Sequence, residues 1–252
     1  NGKTEWIKLN PGMEKAAAFL ETHRYAAYLG ASLGFTKMEG TTVNAKDKIA
    51  YSALQNIQSS MVAGNAANVP GNGISVPKQL VAGAVMALNL KGGQKDTAGG
   101  TINSEWMPVD TKVLLAGEDI TADALGNTAN PNNIANPDNL KFSEKMRTLF
   151  IGEDSSQHVN NFLWAYNVDT KQLSRVMSIP AGGESTGLHA VDEINGWTYI
   201  MSNFQHPGDW GAIHSVVKDT LDPMIKANYK NKNGAAVGYL TAAAKQPSLN
   251  QA

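Results

Sequence analysis

The chain has 252 residues, with 21 basic against 22 acidic side chains and a formal net charge of -1. This length suits one large domain or two small ones with a sizeable core. Because the charges balance, the chain lacks a basic field that would gather a phosphodiester backbone, so we expect no nucleic-acid partner. It contains no cysteine, which excludes a disulfide scaffold, a Cys-ligated zinc site and a thiol nucleophile within these residues.

The longest apolar runs, such as 80–90, are shorter than the about 20 residues that a membrane-spanning helix needs. No transmembrane segment is therefore predicted. Residues 1–10 lack the pattern of an export signal, so we expect any such signal to have been removed or to lie upstream. Only 17% of the residues are charged and 24 are glycine, a balance that favours a turn-rich, mostly β protein.

Residues 13–33 are rich in Ala and Leu and carry large apolar side chains near helical spacing. This pattern predicts one helix near the amino terminus, ending around 30–34. After it, short β-like runs such as 49–54 and 197–201 alternate with clusters of Gly, Asn and Pro. The alternation predicts many short strands.

A faint repeat organises the rest of the chain. Its three units start from Glu39, Asp138 and Gly187. In each unit an apolar residue follows four residues after the start, an aromatic residue twelve after it and a polar residue sixteen after it. These residues are Val43, Phe142 and Val191, then Tyr51, Phe150 and Tyr199, then Gln55, Asp154 and Asn203. A polar turn inside each unit predicts a β-hairpin. Third strands are predicted at 87–90 and 165–168, and fourth strands at 106–109 and 173–179.

A repeated four-stranded antiparallel unit is typical of a β-propeller blade. The predicted fold is therefore all-β: a single partial β-propeller domain over 1–252 with one inserted N-terminal helix and about three blades, near 39–110, 138–180 and 184–252. Since propellers usually close with about 4 to 8 blades, and an open arc leaves exposed edge strands, we expect the chain to be part of a larger ring.

Three segments are less regular. Residues 56–83 and the Asn-rich residues 117–137 are predicted as long loops, and loops of this length are usually functional or mobile. The pattern of 235–245 is equally compatible with a short strand and a short helix.

Hard donor side chains gather at the edges of the predicted units. They are Glu39, Asp138, Asn139, Glu153, Asp154, Glu184 and His206. Carboxylates that converge on one channel repel one another unless a cation neutralises them; calcium takes six to eight oxygen ligands, and iron also accepts carboxylates. No local ligand motif such as the EF-hand pattern is present. Each acid could instead be a solvated or turn-capping group, and His206, like His189 and His214, a hydrogen-bonded structural histidine.

Several of these residues lie in ordered motifs that resemble the PhoX family of bacterial alkaline phosphatases. The motifs are 21–31 followed by Lys37-Met38-Glu39, then Pro137-Asp138-Asn139-Leu140, Gly152-Glu153-Asp154, Gly183-Glu184-Ser185-Thr186-Gly187 and Gln205-His206-Pro207-Gly208. The last two are the most specific. The resemblance runs from about Trp6 to Trp210 and leaves 211–252 unmatched.

The resemblance implies an exported, monomeric β-propeller phosphomonoesterase with Ca²⁺ and Fe³⁺ in its channel, located in the periplasm or secreted. Glu39 and Glu153 match metal-bridging carboxylates of the family. Asp138, Asp154 and Glu184 would be further metal ligands, whereas Asn139 and His206 would bind a small phosphomonoester substrate. No catalytic nucleophile is assigned. Displacement at phosphorus would use clustered cations to offset phosphoryl charge.

This sequence also departs from the family pattern. The Arg-Pro-Glu-Trp element of the family appears as Lys37-Met38-Glu39-Gly40, and no arginine stands obviously near Glu153 to clamp a phosphate. The thiolate iron ligand expected from an amino-terminal part has no counterpart here. We therefore expect this chain to be the carboxyl-terminal part of such a propeller and to have the remaining amino-terminal part as its partner. The alternative is a non-catalytic β-propeller module that binds a partner or sugar through its Asn-rich loops.

Overall fold

A computed structural model describes residues 7–69, 71–229 and 234–243. Over these residues the chain is mostly β, with eleven strands in three antiparallel sheets and a few short helices. The predicted all-β class is confirmed in this coarse form. No helix of the described residues combines the length and the apolar character needed to cross a membrane.

Sheet 1 has four strands, and each pairs with the next in chain order. They are β1 (Met38–Asn44), β2 (Ile49–Leu54), β3 (Ala84–Lys91) and β4 (Met107–Ala116). Sheet 2 repeats this arrangement. Its strands are β5 (Pro137–Ser143), β6 (Thr148–Glu153), β7 (Phe162–Asn167) and β8 (Leu173–Ser178). Sheet 3 is built from β9 (Glu184–Ile194), β10 (Trp197–Gln205) and β11 (Ala236–Ala243), with β10 in the middle.

All three predicted hairpins are present, formed by β1–β2, β5–β6 and β9–β10. In each turn one non-glycine residue adopts a left-handed conformation, with φ of 51° at Lys48, 52° at Arg147 and 52° at Asn195. A left-handed residue is the usual way to close a short hairpin turn. The segment whose pattern was ambiguous forms β11, which pairs with β10, although residues 244–245 lie outside the described chain.

The predicted single helix over 13–33 is wrong, because the chain forms two helices, α1 (Glu14–Leu20) and α2 (Thr22–Tyr28). Between them Glu21 leaves helical geometry, with φ of -133° and ψ of 42°. Neither helix buries a residue, so no packed face stabilises one continuous helix. A third helix, α3 (Lys218–Asn228), follows sheet 3's hairpin and was not predicted.

The main core lies between sheets 1 and 2. Tyr51 of β2 and Phe142 of β5 meet there, with their ring centroids 5.6 Å apart. A second cluster joins sheets 2 and 3 through Phe150, Leu163 and Ile200. This packing places β1 beside β5 and β5 beside β9, so the first strands of the three sheets are neighbours.

The hairpin turns of sheets 1 and 2 are tied together by Arg147. Its guanidinium donates to Asp47 of the first turn and binds Asp169 through two bonds, Nε to Oδ2 at 3.0 Å and Nη2 to Oδ1 at 2.9 Å. Arg147 holds the pKa of Asp47 and of Asp169 below its ordinary value, mainly through these hydrogen bonds. A bidentate arginine contact of this kind is stronger and more specific than a simple surface ion pair.

We expect Arg147→Ala to lower the midpoint of urea unfolding at neutral pH, and Arg147→Lys to restore only part of the loss because lysine has no planar fork. Since the pKa of each carboxyl is lowered in the folded state, the stabilisation is present above the unfolded pKa of about 4 and disappears as pH falls through the folded values. Unfolding curves of both variants from pH 7 down to pH 2 measure this. A difference from wild type that persists unchanged in acid would contradict it.

Candidate functional site

The candidate residues lie at one end of the three sheets, opposite the hairpin turns. An antiparallel hairpin begins and ends at the same end. The paired residues at this end are Met38 with Leu54, Pro137 with Glu153, and Glu184 with Gln205. Side chains at the start of β1, β5 and β9 and at the end of β2, β6 and β10 are thereby gathered into one region.

Each of the three first strands has an irregularity at this end. The pairing of β1 shifts at Glu39 and Gly40, that of β5 at Asp138 and Asn139, and that of β9 at Gly187. β-bulges bend a strand locally and re-aim its side chains, and they are frequent beside active sites. The starting position of the sequence repeat therefore coincides with a bulge in every sheet.

The bulges let neighbouring strands come unusually close. A Cβ placed on Gly40 would lie 2.5 Å from the Asp138 carbonyl oxygen and 2.7 Å from the Leu140 nitrogen. Asn139 links the next pair of strands, because its Oδ1 accepts a hydrogen bond from the Gly187 N–H at 2.7 Å. Only glycine at position 40 allows β1 and β5 to approach in this way.

We expect Gly40→Ala to destabilise the fold by about 1–3 kcal/mol, the range for overpacking, because the clash is with backbone atoms that have no rotamer to escape to. It should also reduce any activity of this region, since β1 moves away from β5. Gly238→Ala in β11 is the matched control, because a Cβ there meets nothing within 4 Å. Chemical denaturation measures both; equal stability of the two variants would show that the close approach is unimportant.

Four carboxylates lie near one another in this region, namely Asp138 and three acids whose charges act on it, Glu39, Asp154 and Glu184. We refer to them as the carboxylate group. Burial raises the pKa of Asp138 above its ordinary value, and the negative charges of Glu39, Asp154 and Glu184 raise it further, although a hydrogen bond from Asn139 opposes the shift. The bond joins Asn139 Nδ2 to Asp138 Oδ1 at 2.7 Å. Like charges drawn together in a half-buried site disfavour ionisation in this way.

Lys37 supplies a positive charge within the carboxylate group. Its Nζ lies 3.5 Å from Glu39 Oε1 and 3.9 Å from Asp154 Oδ2. Its backbone is in the left-handed region, with φ of 41°. A non-glycine residue held in this region costs free energy, and such strain is often found at functional sites.

Gln55 connects sheets 1 and 2 at the same place. Its Nε2 donates to Asp154 Oδ2 at 2.8 Å and to the Asp154 carbonyl at 3.2 Å. Gln55 and Asp154 occupy the same position of the sequence repeat, so equivalent residues of two sheets bind each other. The repeat contained this signal, although Gln55 was not assigned to the site.

His206 and Glu184 form a hydrogen-bonded pair on sheet 3. The Nε2 atom of His206 lies 2.8 Å from Glu184 Oε1, and its Nδ1 lies 2.9 Å from the Gly182 carbonyl. Burial lowers the pKa of His206, but the hydrogen bonds to Gly182 and Glu184 outweigh it and bring the pKa above its ordinary value. The second oxygen of Glu184 accepts from Gln205. The pair therefore places an imidazole whose protonated form is favoured beside the carboxylate group.

Glu153 is not brought to the carboxylate group. Its side chain is fully buried, and the four groups that contact its two oxygens are the Ala135 N–H at 2.9 Å, the Phe162 N–H at 2.9 Å, Trp164 Nε1 at 2.6 Å and His158 Nδ1 at 3.0 Å. The other ring nitrogen of His158 contacts the Asn130 carbonyl at 3.2 Å. Both ring nitrogens of His158 thus have a hydrogen-bond partner in the interior, and all four contacts of Glu153 are made there.

Other histidines and acids near the site are structural. His214, as expected, is buried; its Nδ1 accepts from the Gly211 N–H at 3.0 Å, so its Nε2 donates to the Val159 carbonyl at 3.2 Å. The Asp119 carboxylate accepts hydrogen bonds from the backbone N–H groups of Val81 and Ala82. His158 was missed by the sequence analysis, because its partner Glu153 meets it only after the intervening loop has folded.

A cavity of about 630 Å³ opens beside the carboxylate group. Its lining includes Lys37, Gln55, Asp154, Glu184 and His206. This volume falls within the range of about 300–1,000 Å³ that is typical of small-ligand sites. Both signs of charge line it, so the cavity suits a small polar molecule.

Within the described residues, no three His, Asp or Glu side chains are placed closely enough to hold a metal ion. Several donor oxygens already have partners: Lys37 contacts Glu39 and Asp154, and Glu184 is bonded on both oxygens. Calcium needs six to eight oxygens. The side chains present here do not fit a complete calcium or iron site by themselves.

No protein-family model and no curated protein sequence matches the chain. The fold is similar to that of PhoX from Pseudomonas fluorescens, whose structure was solved in complex with vanadate, a transition-state analogue. The TM-score is 0.56 and the sequence identity 20%, over 91% of this chain and 37% of that chain. The chain thus spans about a third of the length of the protein it matches, and it shares a PhoX-like fold.

Proposed function

We propose that this chain is part of a β-propeller phosphomonoesterase of the PhoX type. The observation that carries the proposal is the carboxylate group, in which acids from three sheets converge beside a cavity of about 630 Å³. Nothing in the folding of the sheets requires four acids at one point, and their mutual repulsion costs stability. Such an arrangement is typical of a site that gains its value from binding or catalysis.

The fold likeness supports the same reaction class, since the protein that the chain resembles binds a transition-state analogue. Three sheets are fewer than the about four to eight that close a propeller, and the chain spans 37% of that protein. We therefore propose that further sheets, from the remaining amino-terminal part, complete the ring. A periplasmic or secreted location is part of this proposal and is supported by the family resemblance.

Calcium and iron belong to the proposal only for the completed ring. There the carboxylate group, with Glu39, Asp138, Asp154 and Glu184, would contribute oxygen ligands, and other parts of the ring would contribute the rest. Cations bound in that ring would offset the charge of the phosphoryl group. Glu153 is left out of this ligand set, because its oxygens are committed to the interior.

The residues of this chain have their own tasks in the proposed reaction. Lys37 is placed to bind phosphoryl oxygens, since it lines the cavity and its charge is shared between two acids. His206 also lines the cavity, its protonated form is favoured by its raised pKa, and Glu184 holds its ring through a hydrogen bond. Positive groups fixed in place before the reaction stabilise the charge that develops on the phosphoryl oxygens. Asn139 is a less suitable substrate ligand, because its amide already bonds Asp138 and Gly187.

The proposal is tested with the full-length protein that contains this chain. We expect it to hydrolyse p-nitrophenyl phosphate, to lose this activity in chelator and to regain it when calcium and iron are restored. Sulfate release from p-nitrophenyl sulfate serves as the control for general esterase activity. A fully metal-loaded, folded protein that releases no phosphate would overturn the proposal.

The alternative function, a non-catalytic module that binds a partner through the Asn-rich loop 117–137, has less support. Asn130 and Asn133 both donate to Glu118 Oε2, at 2.7 and 3.0 Å. Asn127 and Asn136 are buried and hydrogen-bonded inside the protein. Four of the amides that would contact a partner are therefore used to hold the loop together.

A further inference from the structure

We infer that a second cavity binds a small amphipathic anion, a molecule with an apolar body and one carboxylate or phosphate head. This cavity, which we call the Arg175 groove, has a volume of about 630 Å³. Its walls come from the loop after β4, from β7 and β8, and from the segment that leads into α3. In the described chain, it shares no lining residue with the cavity beside the carboxylate group, so it is a separate site.

The Arg175 groove has large apolar side chains that face solvent. Leu125 is 56% exposed and Val216 is 62% exposed, and Phe162 and Leu221 also belong to the apolar part of the lining. Concave apolar surfaces with a few polar groups are the usual form of small-molecule sites. An apolar body that covered Leu125 and Val216 would remove this surface from water.

Arg175 provides the head-group contact. Its guanidinium lies over the ring of Phe162, 5.0 Å from the centroid, and 5.9 Å from that of Trp164. Among the residues that the structure describes, it has neither an ion pair nor a hydrogen bond. Its donors are thus left for a ligand, and an arginine fork binds carboxylate or phosphate oxygens in a bidentate manner.

The acidic residue of the groove does not neutralise Arg175. Asp123 Oδ1 accepts the N–H groups of Leu125, Gly126 and Asn127 at 2.8, 2.9 and 2.9 Å, and its Oδ2 accepts Asn127 Nδ2 at 2.8 Å. Both oxygens of Asp123 are therefore directed at the loop and not at Arg175. The guanidinium donors of Arg175 are left for an anionic head.

The walls of the groove are held in place before a ligand arrives. Gly126, with φ of 103°, approaches the Ile213 carbonyl so closely that a Cβ would lie 2.5 Å from the oxygen. Next to this contact, His214 docks on the Val159 carbonyl. The loop after β4 and the segment before α3 are thereby fixed against each other, which lowers the entropy lost on binding.

Calorimetric titration with octanoate, octyl phosphate and octanol, each below its micelle concentration, tests this inference. We expect at least one of the two anions to bind about tenfold more tightly than the neutral alcohol, the value of one charge-assisted hydrogen bond. Comparison of octanoate with octyl phosphate identifies the preferred head. No binding by any of the three, or equal binding by all three, would overturn the inference.

Variants locate the site. Arg175→Gln should abolish the preference for the anions and leave octanol unchanged, whereas Val216→Ser should weaken all three ligands. Lys112→Gln is the matched control, because this exposed lysine of β4 lies outside the groove. All three positions are exposed, so circular dichroism should show an intact fold. Anion affinity in Arg175→Gln equal to that of wild type would refute the assignment, whether or not the protein hydrolyses phosphomonoesters.

Discussion

Asp138→Asn is expected to lower phosphomonoester hydrolysis by the full-length protein by about 100-fold, the typical effect of removing one group from a preorganised charged site. The same variant should unfold at a higher temperature than wild type when metal is absent. Burial and the neighbouring acids raise the pKa of Asp138, so its ionised form is disfavoured in the folded state. Asn has nearly the same shape and can keep the hydrogen bond from Asn139.

The sign of the stability change follows from the raised pKa. Above the unfolded pKa of about 4, the folded protein binds protons more tightly than the unfolded chain, so ionisation of Asp138 costs stability as pH rises. The advantage of Asp138→Asn should therefore be present at neutral pH and vanish in acid. Glu105→Gln serves as the control, because this side chain is 71% exposed and far from the carboxylate group along sheet 1. A variant that loses both activity and stability would indicate a structural role for Asp138.

The residues of the carboxylate group could be found in the sequence because the repeat recorded their geometry. Glu39, Asp138 and Gly187 start the three units, and each coincides with a bulge at the beginning of a first strand. A bulge needs residues of fixed spacing from the hairpin turn, so its position leaves a trace in the spacing of apolar and aromatic residues. The same spacing of apolar and aromatic residues predicted the three hairpins.

The sequence did not distinguish Glu153 from Asp154. Neighbouring residues at the end of a strand point to opposite sides, and a Gly-Glu-Asp motif does not state which acid faces the core. That choice depends on how sheet 2 packs and on where His158 and Trp164 lie, both of which are tertiary features. The break of the predicted helix at Glu21 has a similar origin, because a continuous helix would have needed a buried face.

Some residues that contact the carboxylate group could not be predicted, because they reach it only through contacts between sheets. Lys37 reaches Asp154 of another sheet, and Gln55 bonds the same acid. The repeat put Gln55 and Asp154 at equivalent positions, but their hydrogen bond across 99 residues forms only when the two sheets pack together. The Arg175 groove is a stronger example, since its walls come from three separate parts of the chain.

Glu153→Ala is expected to reduce the free energy of unfolding by about 3–5 kcal/mol, because it removes a fully buried carboxyl and leaves several buried groups without a partner. His158 would lose its partner in the interior, and the N–H groups of Ala135, Phe162 and Trp164 would lose their acceptor. For a protein of this size, the change corresponds to a decrease of roughly 6–20 °C in Tm. Glu153→Gln should have a smaller effect in the same direction, because its carbonyl oxygen still accepts.

The neighbouring residue offers a matched comparison. Asp154→Asn should leave stability nearly unchanged, because its side chain is 32% exposed, yet it should lower hydrolysis, since Asp154 lines the cavity. The family resemblance taken alone predicts instead that Glu153 is a metal ligand whose loss removes activity while the fold stays intact. Thermal unfolding and phosphate release, measured on both variants, separate the two roles. If Glu153→Ala kept the Tm of wild type, the interior contact with His158 would contribute nothing and the metal-ligand role would be restored.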